Sequence, residues 1–202
     1  MISNVCRIEN GTQDLEAILK ESERVAVYNE LTHKQAMQLR LICEEIDGML
    51  PNIIDDFGGD FWIEFENGVC RVNVSIRLDT FTAEKKEALI ALAKNKKNAA
   101  AVGVVGKIRS ALEDAFLAEE AICGELAEES RYYTMDLYGG YSARTDYYCL
   151  WSLEQYRNTV RETEKADAWD ELEKSVLASV ADDVVVGVKG RRADIVIVKK
   201  FA

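Results

Sequence analysis

The chain has 202 residues, 48% of them apolar, and a formal net charge of −11. That length and apolar share support one sizeable hydrophobic core, while the acidic balance repels a phosphate backbone and excludes nucleic acid as an expected partner. No apolar run approaches the roughly 20 residues of a membrane span, and the opening MISNVCRIENGT lacks the charged-then-apolar layout of a signal peptide, so the expectation is a cytoplasmic protein without a membrane partner.

In chain order, residues 12–29 read as a first helix, with Thr12 as its cap and Leu15, Ile18 and Leu19 on one face. Residues 32–50 read as a second, where Leu39, Ile42, Cys43, Ile46, Met49 and Leu50 recur at helical spacing; Pro51 kinks or ends it. A hairpin follows, 61–66 pairing with 70–78 across Asn67-Gly68, a strong two-residue turn signal. In its second strand Cys70, Val72, Val74, Ile76 and Leu78 alternate with Arg71, Asn73, Ser75 and Arg77. One face is therefore core and the other wet or covered by polar contacts.

Residues 83–93 read as a short helix and 94–98 as a basic, polar loop. Gly103 and Gly106 precede an amphipathic helix that runs to Ile122. The segment 130–151 is rich in aromatics: Tyr132, Tyr133, Tyr138, Tyr141, Tyr147, Tyr148 and Trp151. It is either a tyrosine-packed hairpin turning at Gly139-Gly140 or a partner surface. Helices are expected near 152–162 and 167–180, and two strands turning at 189–192 close the chain.

The cysteines Cys6, Cys43, Cys70, Cys123 and Cys149 are odd in number, far apart and without a CxxC pair. Buried thiols in a reducing compartment are expected, not disulfides or a metal cluster. His33 is the only histidine, so a zinc site or a histidine-based triad cannot be assembled from it. No metal ligand is assigned.

Three features point to chemistry. Glu45 falls on the flank of the apolar stripe centred at Ile46, where a carboxylate can reach a cleft between helix and sheet and polarise a water; alternatively it is a flanking carboxylate of an amphipathic helix. Asp79 ends the polar face of its strand, where it can accept from an adenine amino group or cap the helix that begins near Thr82. Gly103 and Gly106 let backbone approach phosphate oxygens at a helix N-terminus, with Lys107 beside them and Lys94, Lys96 and Lys97 upstream; alternatively the glycines only permit a turn or tight packing. A P-loop is rejected, because Ala101 occupies its first glycine position and Ile108 stands where Ser or Thr should follow the lysine.

In this order the residues resemble the GHKL (Bergerat-type) ATP-binding superfamily, which includes sensor histidine kinases, gyrase B, mismatch-repair ATPases and anti-sigma serine kinases. The likeness rests on the helix LRLICEEIDGML, the hairpin leading to Asp79, the turn GVVGKI and the closing VVVGVKGRRADIVIVKK, and covers about residues 31–122 and 183–200. It implies an α/β two-layer sandwich: a mixed, mostly antiparallel sheet of four or five strands with helices on one face. The whole chain, 1–202, would be one such domain, with 125–182 an insertion or added subdomain.

The resemblance further implies ATP or ADP as ligand, Glu45 as general base, Asp79 as adenine contact, and Gly103, Gly106 and Lys107 as phosphate cradle, in a regulatory protein with a protein partner. Three positions depart from the family pattern. Met49 (or Gly48, with Glu44 aligned instead) stands where asparagine would hold Mg2+, and neither supplies an oxygen to a hard cation. The aspartate box reads Asp79-Thr80-Phe81, without its glycines, and Ala193-Asp194 replaces the threonine near the last strand. Two functions follow: an ATP-binding regulator with weak or no catalysis, or a nucleotide-free interaction module, working as a homo-oligomer.

Overall fold

A computed structural model describes residues 1–9, 15–53, 57–77, 103–122, 148–163, 166–189 and 192–201. The expectations for Asp79, for the helix 83–93, for the lysine-rich loop and for the aromatic segment before Tyr148 lie outside those residues. The elements are β1 (Cys6–Glu9), α1 (Leu15–Tyr28), α2 (His33–Ile53), β2 (Gly58–Glu66), β3 (Val69–Arg77), α3 (Gly103–Ile122), β4 (Tyr148–Ser152), α4 (Leu153–Thr163), α5 (Ala166–Lys174), α6 (Val176–Val180), β5 (Asp183–Lys189) and β6 (Arg192–Lys200).

The strands form one six-stranded sheet in the order β1-β2-β3-β6-β5-β4. Every described pair is antiparallel, where a mixed, mostly antiparallel sheet of four or five strands was expected. Short connections explain much of this, since β2–β3 and β5–β6 are hairpins and a tight turn admits only antiparallel pairing. Asn67 (φ 51°) and Gly68 (φ 75°) both take the left-handed conformation, which the Asn-Gly pair tolerates and a two-residue turn of this twist requires. The last residues close over this turn, Phe201 N–H donating to the Gly68 carbonyl at 2.7 Å.

One face of the sheet carries the core. Phe61 and Ile63 of β2, Cys70, Val72, Val74 and Ile76 of β3, Ile195 and Ile197 of β6 and Val184 and Val186 of β5 all join a single buried cluster. The helices close it with Ile18 and Val25 of α1, Leu39, Ile42, Ile46 and Leu50 of α2, and Val104, Ile108 and Leu112 of α3. The helix α2 continues past Pro51 to Ile53. Pro51 adds no N–H to the helical ladder, and the Asn52 side-chain amide donates back to the Gly48 carbonyl at 2.9 Å.

The described part of 125–182 is built into this same body. Strand β4 pairs with β5 at the sheet edge, and Leu153, Val160, Leu172, Leu177 and Ala178 enter the common core. Its joint to the sheet is Asp183, 2% exposed, whose carboxylate accepts from the Glu154 and Val184 N–H groups at 2.9 and 2.8 Å and from the Ser152 hydroxyl at 3.3 Å. Among the described residues no helix is long and apolar enough to cross a membrane.

Candidate functional site

Helix α3 opens on Gly103 at φ +80°, a conformation that strains residues with a side chain, and nothing lies within 4 Å of where a Cβ would stand. The helix thus opens on a glycine with room at its Cβ position. Gly106 does not precede the helix as expected. It is buried inside the first turn, because the helical ladder starts at Gly103 itself.

Lys107 is half-buried, with its Nζ 5.4 Å over the Tyr156 ring. Tyr156 in turn tilts against Trp151 with ring centroids 6.1 Å apart. A cation held over a ring in this way is stabilised by about 0.5–2 kcal/mol, depending on its desolvation.

On α2, Glu45 is half-buried at the flank of the core stripe, next to buried Ile46. Glu44 is tied instead to Arg40, one turn back, at 2.9 Å. Met49 is 4% exposed and belongs to the core cluster, so its thioether, not an oxygen ligand, occupies that turn. The helices α2 and α3 pack together, with the Arg109 guanidinium donating to the Asn52 carbonyl at 3.4 Å. The elements carrying Glu45 and the Gly103–Lys107 turn are therefore neighbours, although among the described residues no hydrogen bond or ion pair joins Glu45 to that turn. Asp79 lies outside the described residues.

Among the described residues no group of three or more His, Cys, Asp and Glu side chains is placed to hold a metal. The thiols Cys43 and Cys70 are buried and free, while Cys6 is half-buried. Burial pushes both buried thiols up, Cys70 to about 12, which keeps them neutral and unreactive.

Two features escaped the sequence reading. A cleft of about 230 Å³ lies where α4 meets the ends of β5 and β6, lined by Glu154, Arg157, Arg161, Asp182, Asp183 and Lys200. Its groups are already engaged structurally. The Arg157 guanidinium donates to the carbonyls of Asp182 at 2.8 Å, Ala181 at 3.2 Å and Ala178, closing the C-terminal end of α6, and Asp182 accepts from the Lys200 N–H at 2.5 Å.

The second feature is Asp194, on the face of the sheet opposite the helices. It is 8% exposed, and neither carboxylate oxygen has a hydrogen-bond partner among the described residues. Its neighbours in register are Ser75 of β3 and Gly187 of β5, with Asp60 of β2 beyond Ser75. The signal for it was an aspartate inside a strand rich in Val and Ile, a residue type depleted from strands. Compared with family models, curated proteins and solved structures, the chain has no match.

Proposed function

We propose that the chain is a nucleotide-binding regulatory module that takes ATP or ADP between α2 and α3, with weak or no hydrolysis. The observation that carries this reading is Gly103: a left-handed glycine with open space at its Cβ position, starting a 20-residue helix beside α2. A helix start of this kind suits a phosphate group. Lys107 supplies a cation one turn in, Glu45 a half-buried carboxylate on the neighbouring helix, and Asp79 the proposed adenine contact. The buried Met49 supports the second part of the proposal, because a thioether in place of an oxygen ligand gives Mg2+ no hold there.

The test is thermal melting of the chain titrated with ATP, with and without Mg2+. Ligand at 100 times its Kd stabilises by about 2.7 kcal/mol, and the expected shift is indifferent to Mg2+. Absence of any shift at saturating ATP would overturn nucleotide binding and leave the second reading, a nucleotide-free protein-interaction module. Asp79→Asn is expected to abolish the shift; an unchanged shift would remove Asp79 from the site.

A further inference from the structure

The face of the sheet away from the helices carries a row of oxygen-bearing side chains. Asp60 of β2, Ser75 of β3 and Asp194 of β6 stand directly across from one another on successive strands, and Gly187 of β5 extends the row without a side chain. Side chains alternate along a strand, and the residues flanking these three, Phe61, Val74, Ile76, Ala193 and Ile195, belong to the core on the other face.

Ser75 and Asp194 are buried and Asp60 is half-buried. Both carboxylate oxygens of Asp194 are closed from water and accept no hydrogen bond among the described residues. Among those residues the Asp60 carboxylate and the Ser75 hydroxyl make no hydrogen bond or ion pair either. The nearest bases in register on this face, Arg77 and Arg192, stand in the next row. The Arg77 guanidinium lies beside Gly58, with an Nη 3.5 Å from where a Cβ would stand there.

A carboxylate taken out of water is ordinarily answered by a paired cation or a metal ion. This row offers two carboxylates, which only accept, and one hydroxyl between them. It repels an anion and calls for a cation. We infer that the row binds a hard divalent cation, Ca2+, held over Ser75 with Asp194 on one side, Asp60 on the other and water completing its shell. Carboxylate and hydroxyl oxygens suit a hard ion, and no thiolate or imidazole stands in the row to select a softer one. With only two acidic members it falls outside the groups of three or more His, Cys, Asp and Glu already excluded. The strands of Asp60 and Asp194 are two spacings apart, about 9.5 Å, a wide gap to close from opposite sides. Ca2+ accepts irregular shells with oxygens at about 2.3–2.6 Å, whereas Mg2+ demands a near-ideal octahedron at about 2.0–2.1 Å. The row lies on the other face of the sheet from α2 and α3, so this site stands or falls separately from nucleotide binding.

The experiment is calorimetric titration of the full chain with Ca2+ in about 0.15 M salt, which screens loose attraction to the acidic surface. One ion per chain is expected, with a Kd on the order of 0.1–1 mM, as for sites with few charged ligands. Asp194→Asn and Asp60→Asn should each weaken binding roughly tenfold or more, while Glu16→Gln, at an exposed acid on α1, should leave it unchanged. Without Ca2+ the Asp194→Asn chain should melt no lower than wild type, so that lost binding is not lost fold. Tb3+ in place of Ca2+ locates the ion. Trp62 lies in the adjacent row of the same face, so tryptophan excitation should produce Tb3+ emission that Ca2+ displaces, and Trp62→Phe should remove most of it while keeping Ca2+ affinity. Absence of saturable binding at millimolar Ca2+ overturns the proposal. So does binding that survives both aspartate changes, which would be diffuse attraction to an acidic chain, and so does Tb3+ emission that Trp62→Phe leaves intact.

Discussion

On the helix side of the sheet the cross-strand rows are apolar from end to end: Phe61, Val74, Ile195 and Val186 lie in one such row, and Ile63, Val72, Ile197 and Val184 in the next. On the opposite side the same strands present Asp60, Ser75, Asp194 and Gly187 in one row and Trp62, Asn73, Val196 and Val185 in its neighbour. Yet the second side is not simply wet, because Asn73, Ser75 and Asp194 are all buried. The two sides are thus closed from water by different means. The first gains from transfer of apolar area; the second hides polar groups, at least one of which finds no donor among the described residues.

The sharpest way to test that difference is to truncate adjacent residues of one strand. Phe61 is fully buried on the helix side, whereas Trp62 is half-buried on the other, its indole N–H donating to Glu64 at 2.8 Å. Phe61→Ala should cost about 3–5 kcal/mol in urea unfolding. Trp62→Ala should cost about 1 kcal/mol, in the range of a residue outside the core. Equal costs would mean that the second side is a core in its own right.

The first of these faces was legible in the chain in full and the second only coarsely, as a face wet or covered by polar contacts. Alternation at Cys70, Val72, Val74 and Ile76 marks a strand with one dry side, and Asn67-Gly68 marks its turn; both stand in the structure. The α2 stripe around Ile46 was equally plain, because seven buried residues recur at helical spacing. By contrast β1 offers only one fully buried residue in four, Ile8, too short a pattern to separate from a loop. Asp194 stands out in the sequence as an aspartate inside a strand, but its lack of donors does not, because its surroundings come from β3 and β5, which are neighbours of β6 only through tertiary pairing. At the candidate site the glycine at 103 was readable as part of a turn into a helix, and it opens α3. The pairing of Lys107 with Tyr156 joins residues 49 apart in sequence and leaves no local pattern.

Asp194 gives the comparison its opposite sign. Replacing a buried hydrogen-bonded group usually destabilises, but an unpartnered buried carboxylate carries a desolvation cost with little return. Asp194→Val, with a residue suited to the strand, should therefore raise stability by about 1–2 kcal/mol, seen as a higher urea midpoint with unchanged slope. A loss of stability would mean that Asp194 has a donor in solution.

The smallest effect is expected at Glu21, a buried carboxylate on α1 that, unlike Asp194, is fully partnered. Burial pushes it up, but the Asn4 N–H, the Arg24 guanidinium at 2.7 Å and the Asn4 amide together hold it below its ordinary value of 4.5. A carboxyl depressed in the folded state adds stability that is present above its unfolded value and lost as pH falls through its folded value. Wild-type stability should therefore decline below about pH 4.5 as these bonds are protonated away. Glu21→Gln should be less stable than wild type at neutral pH, where the charge-assisted bonds are missing, and the two should converge in acid. Two pH–stability curves that stay parallel from neutral to acid would show that Glu21 contributes through packing alone, which would erase the contrast between a buried carboxylate with donors and one without.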